Sequence, residues 1–262
     1  MKLIYLLLII SIISCKQNKA TDATGETQTT SKESIVQPVE QVTITGNVIN
    51  YEGDKGPINI LGFYVQPENT GSVDDSGKFT FQLPPDFNKI SSNKFEEYNK
   101  SDSAEYELEL SNAAELFLPH DSLKTQGLDS QISLAGKFYT FEVAQDNVDD
   151  QVLIAPASSP AFIKNEIQAI PQTQTGWLSY YIYTNNPVLI KGEYQQDNLV
   201  EDYSTSVFTT NYKYDINLIK GWNLITYSVQ EVVKVDNTAR PSLVTYTSTS
   251  VNNSPVDWIQ IK

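Results

Sequence analysis

From Val42 onward, apolar and polar residues alternate in short runs separated by turn residues. Val42-Thr43-Ile44-Thr45-Gly46-Asn47-Val48-Ile49 has the period of two expected of a half-buried strand. A turn at Glu52 to Pro57 leads to a second run, Ile58 to Val65, and a second turn region follows. Asp74-Asp75-Ser76-Gly77 then predicts a tight turn, because short polar side chains bond local backbone and glycine accepts positive φ. The strand after it places Phe79, Phe81 and Leu83 on one face and Lys78, Thr80 and Gln82 on the other. Ser91 to Ser103 reads as an insertion or edge loop, and Ala104 to Leu110 as a strand with its acids outward. Ile132 to Leu134 and Phe138 to Val143, either side of Ala135-Gly136-Lys137, predict a hairpin, and Val152-Leu153-Ile154 a further strand.

Beyond the proline-bearing stretch Ala155 to Pro160, Gly176 to Tyr183 predicts a strand, Asn185-Asn186-Pro187 a turn, and Val188 to Tyr194 the returning strand. Tyr212 to Leu218 and Trp222 to Tyr227 form a second apparent hairpin around Lys220-Gly221, like a turn common in secreted bacterial β-domains. Thr245 to Ser250 and Trp258 to Ile261 complete the set. Helical periodicity is confined to Phe95–Asn99 and Asn112–Phe117. The expected fold is all-β: two tandem antiparallel β-sandwich domains, 41–155 and 156–262, preceded by a signal peptide (1–14) and a flexible tether (15–40). One larger sandwich, with Ala155 to Pro160 as an inter-sheet loop, is the alternative.

The first domain resembles the carboxypeptidase regulatory-like, or transthyretin-like, β-sandwich family over about 40 residues. Gly46 and Val48, Gly56-Pro57, the run Ile58 to Val65, and Asp74 to Pro84 carry the resemblance. It implies a structural or docking scaffold without catalytic residues.

The amino terminus has a different pattern. Lys2 precedes an almost uninterrupted apolar run, Leu3 to Ile13, that ends at Ser14-Cys15, the layout of a secretory signal. As a helix this run is roughly 16 Å long at ~1.5 Å per residue, about half a hydrocarbon core of ~30 Å. Ile12-Ile13-Ser14-Cys15 resembles the lipobox of bacterial lipoproteins, which implies cleavage after Ser14, diacylglycerol on the Cys15 sulfur and an acyl chain on the new amino group. Cys15 is the only cysteine, so no intrachain disulfide competes for it. Residues 16–40 are too polar to bury a core and read as a tether with a reach on the order of 25–30 Å. Lys16 stands where enteric lipoproteins retained at the inner membrane carry aspartate, so the resemblance implies the outer membrane.

Charge and composition narrow the function. The chain carries 18 Lys+Arg against 32 Asp+Glu, a formal net charge of −14, and Arg240 is its sole arginine. Such a surface does not suit nucleic acid, whose binding relies on clustered cations. His120 is the single histidine and sits in a polar loop, so no Ser-His-Asp or zinc arrangement is expected, and neither a metal nor another cofactor. Asp146-Asn147-Val148-Asp149-Asp150 carries calcium-type oxygens without the glycine and glutamate spacing of an EF-hand, and reads as a solvated acidic turn. A carboxylate-pair hydrolase needs no other residue type, but no acidic pair stands out in the sequence. All three tryptophans and nine of fifteen tyrosines lie in the second half. Trp177, Tyr181 and Tyr183 share one face of a strand, with Leu178, Tyr180 and Ile182 on the other; the first set is the candidate glycan platform if that face is outward, and core if it is not. The expected role is a non-catalytic binding or structural one in the cell envelope, with the membrane as partner through the lipid and an envelope protein or glycan as ligand.

Overall fold

The computed structural model describes residues 41–262 except 63–64, 103, 106, 137–139, 145–151, 169–171, 201–205, 252–255 and 262. The signal peptide, Cys15, the tether and the acidic stretch Asp146–Asp150 lie outside these residues. The fold is all-β. In chain order the elements are β1 (Val42–Ile49), β2 (Gly56–Gly62), β3 (Val65–Val73), β4 (Lys78–Leu83), α1 (Phe87–Asn99), β5 (Ser111–Asn112), α2 (Ala113–Phe117), β6 (Lys124–Gln126), β7 (Gln131–Leu134) and β8 (Phe141–Val143). Then come β9 (Val152–Pro156), α3 (Pro160–Gln168), β10 (Gly176–Thr184), β11 (Val188–Leu199), β12 (Val207–Leu218), β13 (Gly221–Val235), β14 (Thr238–Ser250) and β15 (Trp258–Ile261).

The strands form a closed barrel, ordered β1-β15-β9-β8-β2-β3-β4, and an eight-stranded sheet curved into a half-barrel, ordered β5-β7-β10-β13-β14-β12-β11-β6. Two tandem sandwiches divided at residue 155 do not describe this arrangement. β15, from the end of the chain, closes the barrel between β1 and β9, while β5, β6 and β7 from the first half join the other sheet. Pairing is antiparallel except for β1 with β15 and β12 with β14.

The alternation legible in β1 and β4 is realised: Ile44 and Val48, and Phe79, Phe81 and Leu83, point into the barrel core. Several other expectations are revised. Val65–Val73, read as a turn region, is a strand whose pairing with β2 is broken by register shifts, which erases its alternation. Phe87–Asn99 is helical, where a loop over 91–103 was expected. The described residues of Ala104–Leu110 are not a strand: the Asn99 amide bonds both the N–H and the C=O of Leu108, each at 2.8 Å, replacing a strand partner with one side chain. β7 and β8 are not a hairpin, since β7 pairs with β10 and β5, and β8 with β2 and β9. β11 does not pair with β10 but lies four places away beside β12. β14 separates β12 from β13, so the Leu218–Trp222 turn is a crossover. Buried Asn223 holds that crossover, accepting from Ile219 N–H at 3.0 Å and donating to the carbonyls of Ile219 at 2.8 Å and Gly221 at 3.0 Å. α3 falls beside the stretch read as an inter-domain linker; Phe162 and Ile163, both 0% exposed, seal it against the sheet.

Candidate functional site

β10 decides the fate of the proposed aromatic platform. One face of the strand carries Leu178, Tyr180 and Ile182 into a core formed largely by the curved sheet. The other face carries Tyr181 and Tyr183 into the barrel-side core with Phe81, Phe141 and Trp258. The ring of Tyr181 lies 6.2 Å from Phe81, 6.1 Å from Phe141 and 6.3 Å from Trp258. Tyr183 packs edge-on against Trp222 at 5.4 Å, and its hydroxyl donates to Asp86 at 3.2 Å. Burial pushes both phenols above their ordinary range; for Tyr183, the adjacent Asp86 charge adds to the effect. Tyr181 and Tyr183 are thus 2% and 1% exposed, and Trp222 and Trp258 are buried beside them, leaving Trp177 as the only half-exposed tryptophan. The three platform residues share one face, as expected, but from Leu178 to Thr184 the strand lies between two cores and is covered on both sides, so of the three only Trp177, at its start, is half-exposed.

Partly exposed Tyr194, Tyr212, Tyr227 and Tyr246, with buried Tyr214 among them, form a row on the half-barrel sheet. Direct cross-strand neighbours stack there: Tyr194 of β11 on Tyr212 of β12 at 5.0 Å, Tyr214 of β12 on Tyr246 of β14 at 4.8 Å, and Tyr246 against Tyr227 of β13 at 5.2 Å. His120 closes one end, stacked on Tyr194 at 4.6 Å with its Nδ1 against the Ser122 hydroxyl at 2.9 Å. At the other end Glu166 of α3 accepts from the Tyr227 hydroxyl, and burial raises its carboxyl above the usual range. The phenols of Tyr212 and Tyr214 are raised as well, first by burial and then by neighbouring tyrosines. Tyr194, Tyr212, Tyr214 and Tyr246 lie face on face, and Tyr227 is tilted by 51° against Tyr246. Period-two alternation in β11 and β12 placed these side chains together, but the sequence did not reveal that β14 lies between β12 and β13.

Largely on the opposite face of the same strands is a cleft of about 480 Å³ lined by Glu193, Gln195, Asn211, Lys213, Glu231 and Leu243, with Tyr194 also contributing to its wall. The pairings Gln195–Asn211, Asn211–Leu243 and Leu243–Glu231 lay one row straight across it. Lys213 holds Glu193 at 3.5 Å. β12 and β14 separate the two glutamates, so their backbones stand roughly 14 Å apart at ~4.8 Å per strand. Among the described residues, no group of three or more His, Cys, Asp or Glu is placed to hold a metal ion, and no helix is long and apolar enough to cross a membrane.

The fold and these surfaces define an all-β protein whose largest aromatic side chains serve the junction of its two sheets. No family model matches the chain, and the searches of curated proteins and of solved structures return no match.

Proposed function

We propose that this chain is a lipid-anchored cell-envelope protein, held at the outer membrane through Cys15, with a non-catalytic binding or structural role. The observation that carries this reading is the amino-terminal pattern: Lys2, the apolar run Leu3 to Ile13, and Ile12-Ile13-Ser14 placed directly before the sole cysteine. In this reading several acyl chains act together, since one alone holds a protein at a bilayer only marginally. The test is growth with an alkyne-bearing palmitate, followed by membrane fractionation. The wild-type chain is expected to take up label and sediment with membranes, and Cys15→Ser to lose both properties. An unlabelled wild-type chain, or label that survives the substitution, sinks the reading.

A glycan-binding accessory role is the second reading, favoured by half-exposed Trp177 beside the tyrosine-bearing sheet. Its measure is tryptophan fluorescence against a broad glycan panel, with Trp177→Ala as control; a flat response across the panel removes it.

A further inference from the structure

β11 is twelve residues long, yet its two sides are unequally covered. β12 pairs with it along its whole length, from Val188 to Leu199. On the other side β6 pairs only with Leu189, Ile190 and Lys191. At Gly192 the backbone takes φ +127°, a conformation L residues rarely adopt, just where the pairing with β6 stops. Among the described residues, no strand pairs with the outer edge of Gly192–Leu199.

Natural sheets protect such edges with charged side chains, lysine above all, with proline, with bulges or with short length. This edge contains neither Lys nor Pro and its pairing with β12 runs without a register shift, so the charges that guard it, Glu193 and Asp197, are both acidic. Its side chains on the cleft face are Glu193, Gln195, Asp197 and Leu199, the last 57% exposed. Two carboxylates four residues apart mark that face: Glu193 is paired with Lys213 at 3.5 Å, and Asp197 accepts from the Thr209 hydroxyl at 2.7 Å.

We propose that the Gly192–Leu199 edge is a strand-addition site for an extended, cationic segment of a partner protein. Main-chain hydrogen bonds supply the affinity in this mode, and alternate side chains the specificity. Basic residues on the cleft side of the added strand stand opposite Glu193 and Asp197, with a third side chain of the same face between them opposite Gln195. Charge selects this occupant over a second copy. Two copies each carry a formal net charge of −14, and their pairing would set one acidic edge beside another. The site does not depend on lipidation at Cys15.

The experiment uses the purified full chain in detergent and a fluorescent peptide of four Lys-Thr repeats, followed by anisotropy. Two further peptides carry N-methyl groups, one on every lysine and one on every threonine. An added strand turns only one parity of its N–H groups to the edge, so one of these two is expected to lose at least about tenfold in affinity and the other to keep it. The protein variant Glu193→Lys/Asp197→Lys is expected to lose about tenfold or more with an unchanged far-UV spectrum. Equal binding by both N-methyl peptides, which is attraction by charge alone, overturns the proposal. Binding weaker than about 1 mM overturns it too, as does a peptide-independent dimer by sedimentation that Asp197→Lys changes.

Discussion

Trp258 is the side chain on which the union of the two sheets depends most. It is 1% exposed on the short β15, which closes the barrel between β1 and β9. Its ring contacts Phe79 at 4.8 Å, Phe141 at 5.3 Å and Phe81 at 5.7 Å within the barrel, and Tyr181 of the other sheet at 6.3 Å. Trp258→Ala removes the buried ring and leaves a cavity the surrounding rings fill only in part, a loss of ~3–5 kcal/mol. At about 2–4 °C per kcal/mol for a chain of this size, the midpoint of thermal unfolding falls by roughly 6–20 °C. Trp258→Phe keeps most of the ring contacts and should cost about 1–2 kcal/mol. The assay is urea unfolding read twice, by far-UV circular dichroism and by the fluorescence of Trp177 and Trp222, both in the half-barrel sheet. Since Tyr181, Tyr183, Trp222 and Leu224 share one core with the barrel residues, both signals should shift together. A loss below about 1 kcal/mol, or a tryptophan transition that stays in place while the circular dichroism moves, refutes the reasoning.

Asn223→Ala should cost ~1–3 kcal/mol, measured by urea unfolding, because three backbone groups of the turn lose their bonds to this buried side chain. Glu166 is an acid raised by burial, so its contribution to stability is complete below its unfolded pKa and is lost as pH rises through the higher folded one. Glu166→Gln should accordingly gain on the wild type between acid and neutral pH, and a variant that falls further behind as pH rises contradicts this. Asp74 runs the opposite way: the Ser76 hydroxyl, together with the N–H groups of Ser76 and Lys78, holds its carboxyl below the ordinary range. What it contributes is present above the unfolded pKa and lost as pH falls through the folded one, so carbon-detected NMR titration should give a midpoint below that of a free aspartate.

Local pattern was legible in the sequence wherever one strand face meets water. Lys78 to Leu83 alternates without error because solvent covers one side and the barrel core the other. The same rule misleads for β10, where both side-chain sets are mostly apolar or aromatic and both are buried from Leu178 to Thr184. Sheet order was not legible, because β14 enters between β12 and β13 from a position later in the chain, and a two-residue link between alternating runs looks the same whether it joins neighbours or crosses over. The strand expected over Ala104–Leu110 failed for a related reason: alternation marks a segment with one wet face, and a single asparagine side chain can satisfy its backbone without a partner strand.

These misreadings share a physical cause with the placement of the candidate surfaces. A strand with two apolar faces must lie between two cores, which commits Tyr181, Tyr183, Trp222 and Trp258 to packing and withdraws them from recognition. Surface left for a partner must therefore be found where a strand outruns its neighbours. β11 does so after Lys191, where the pairing with β6 ends and Gly192 takes a positive φ. The alternation of Glu193, Gln195 and Asp197 against Tyr194 and Gln196 then has a second meaning. It keeps the tyrosine side packed on the sheet and leaves the acidic side, with its backbone edge, facing solvent. Recognition at such an edge depends on hydrogen-bond parity and charge rather than on aromatic stacking, and an alternating cationic peptide with N-methyl groups on one parity or the other separates these two modes.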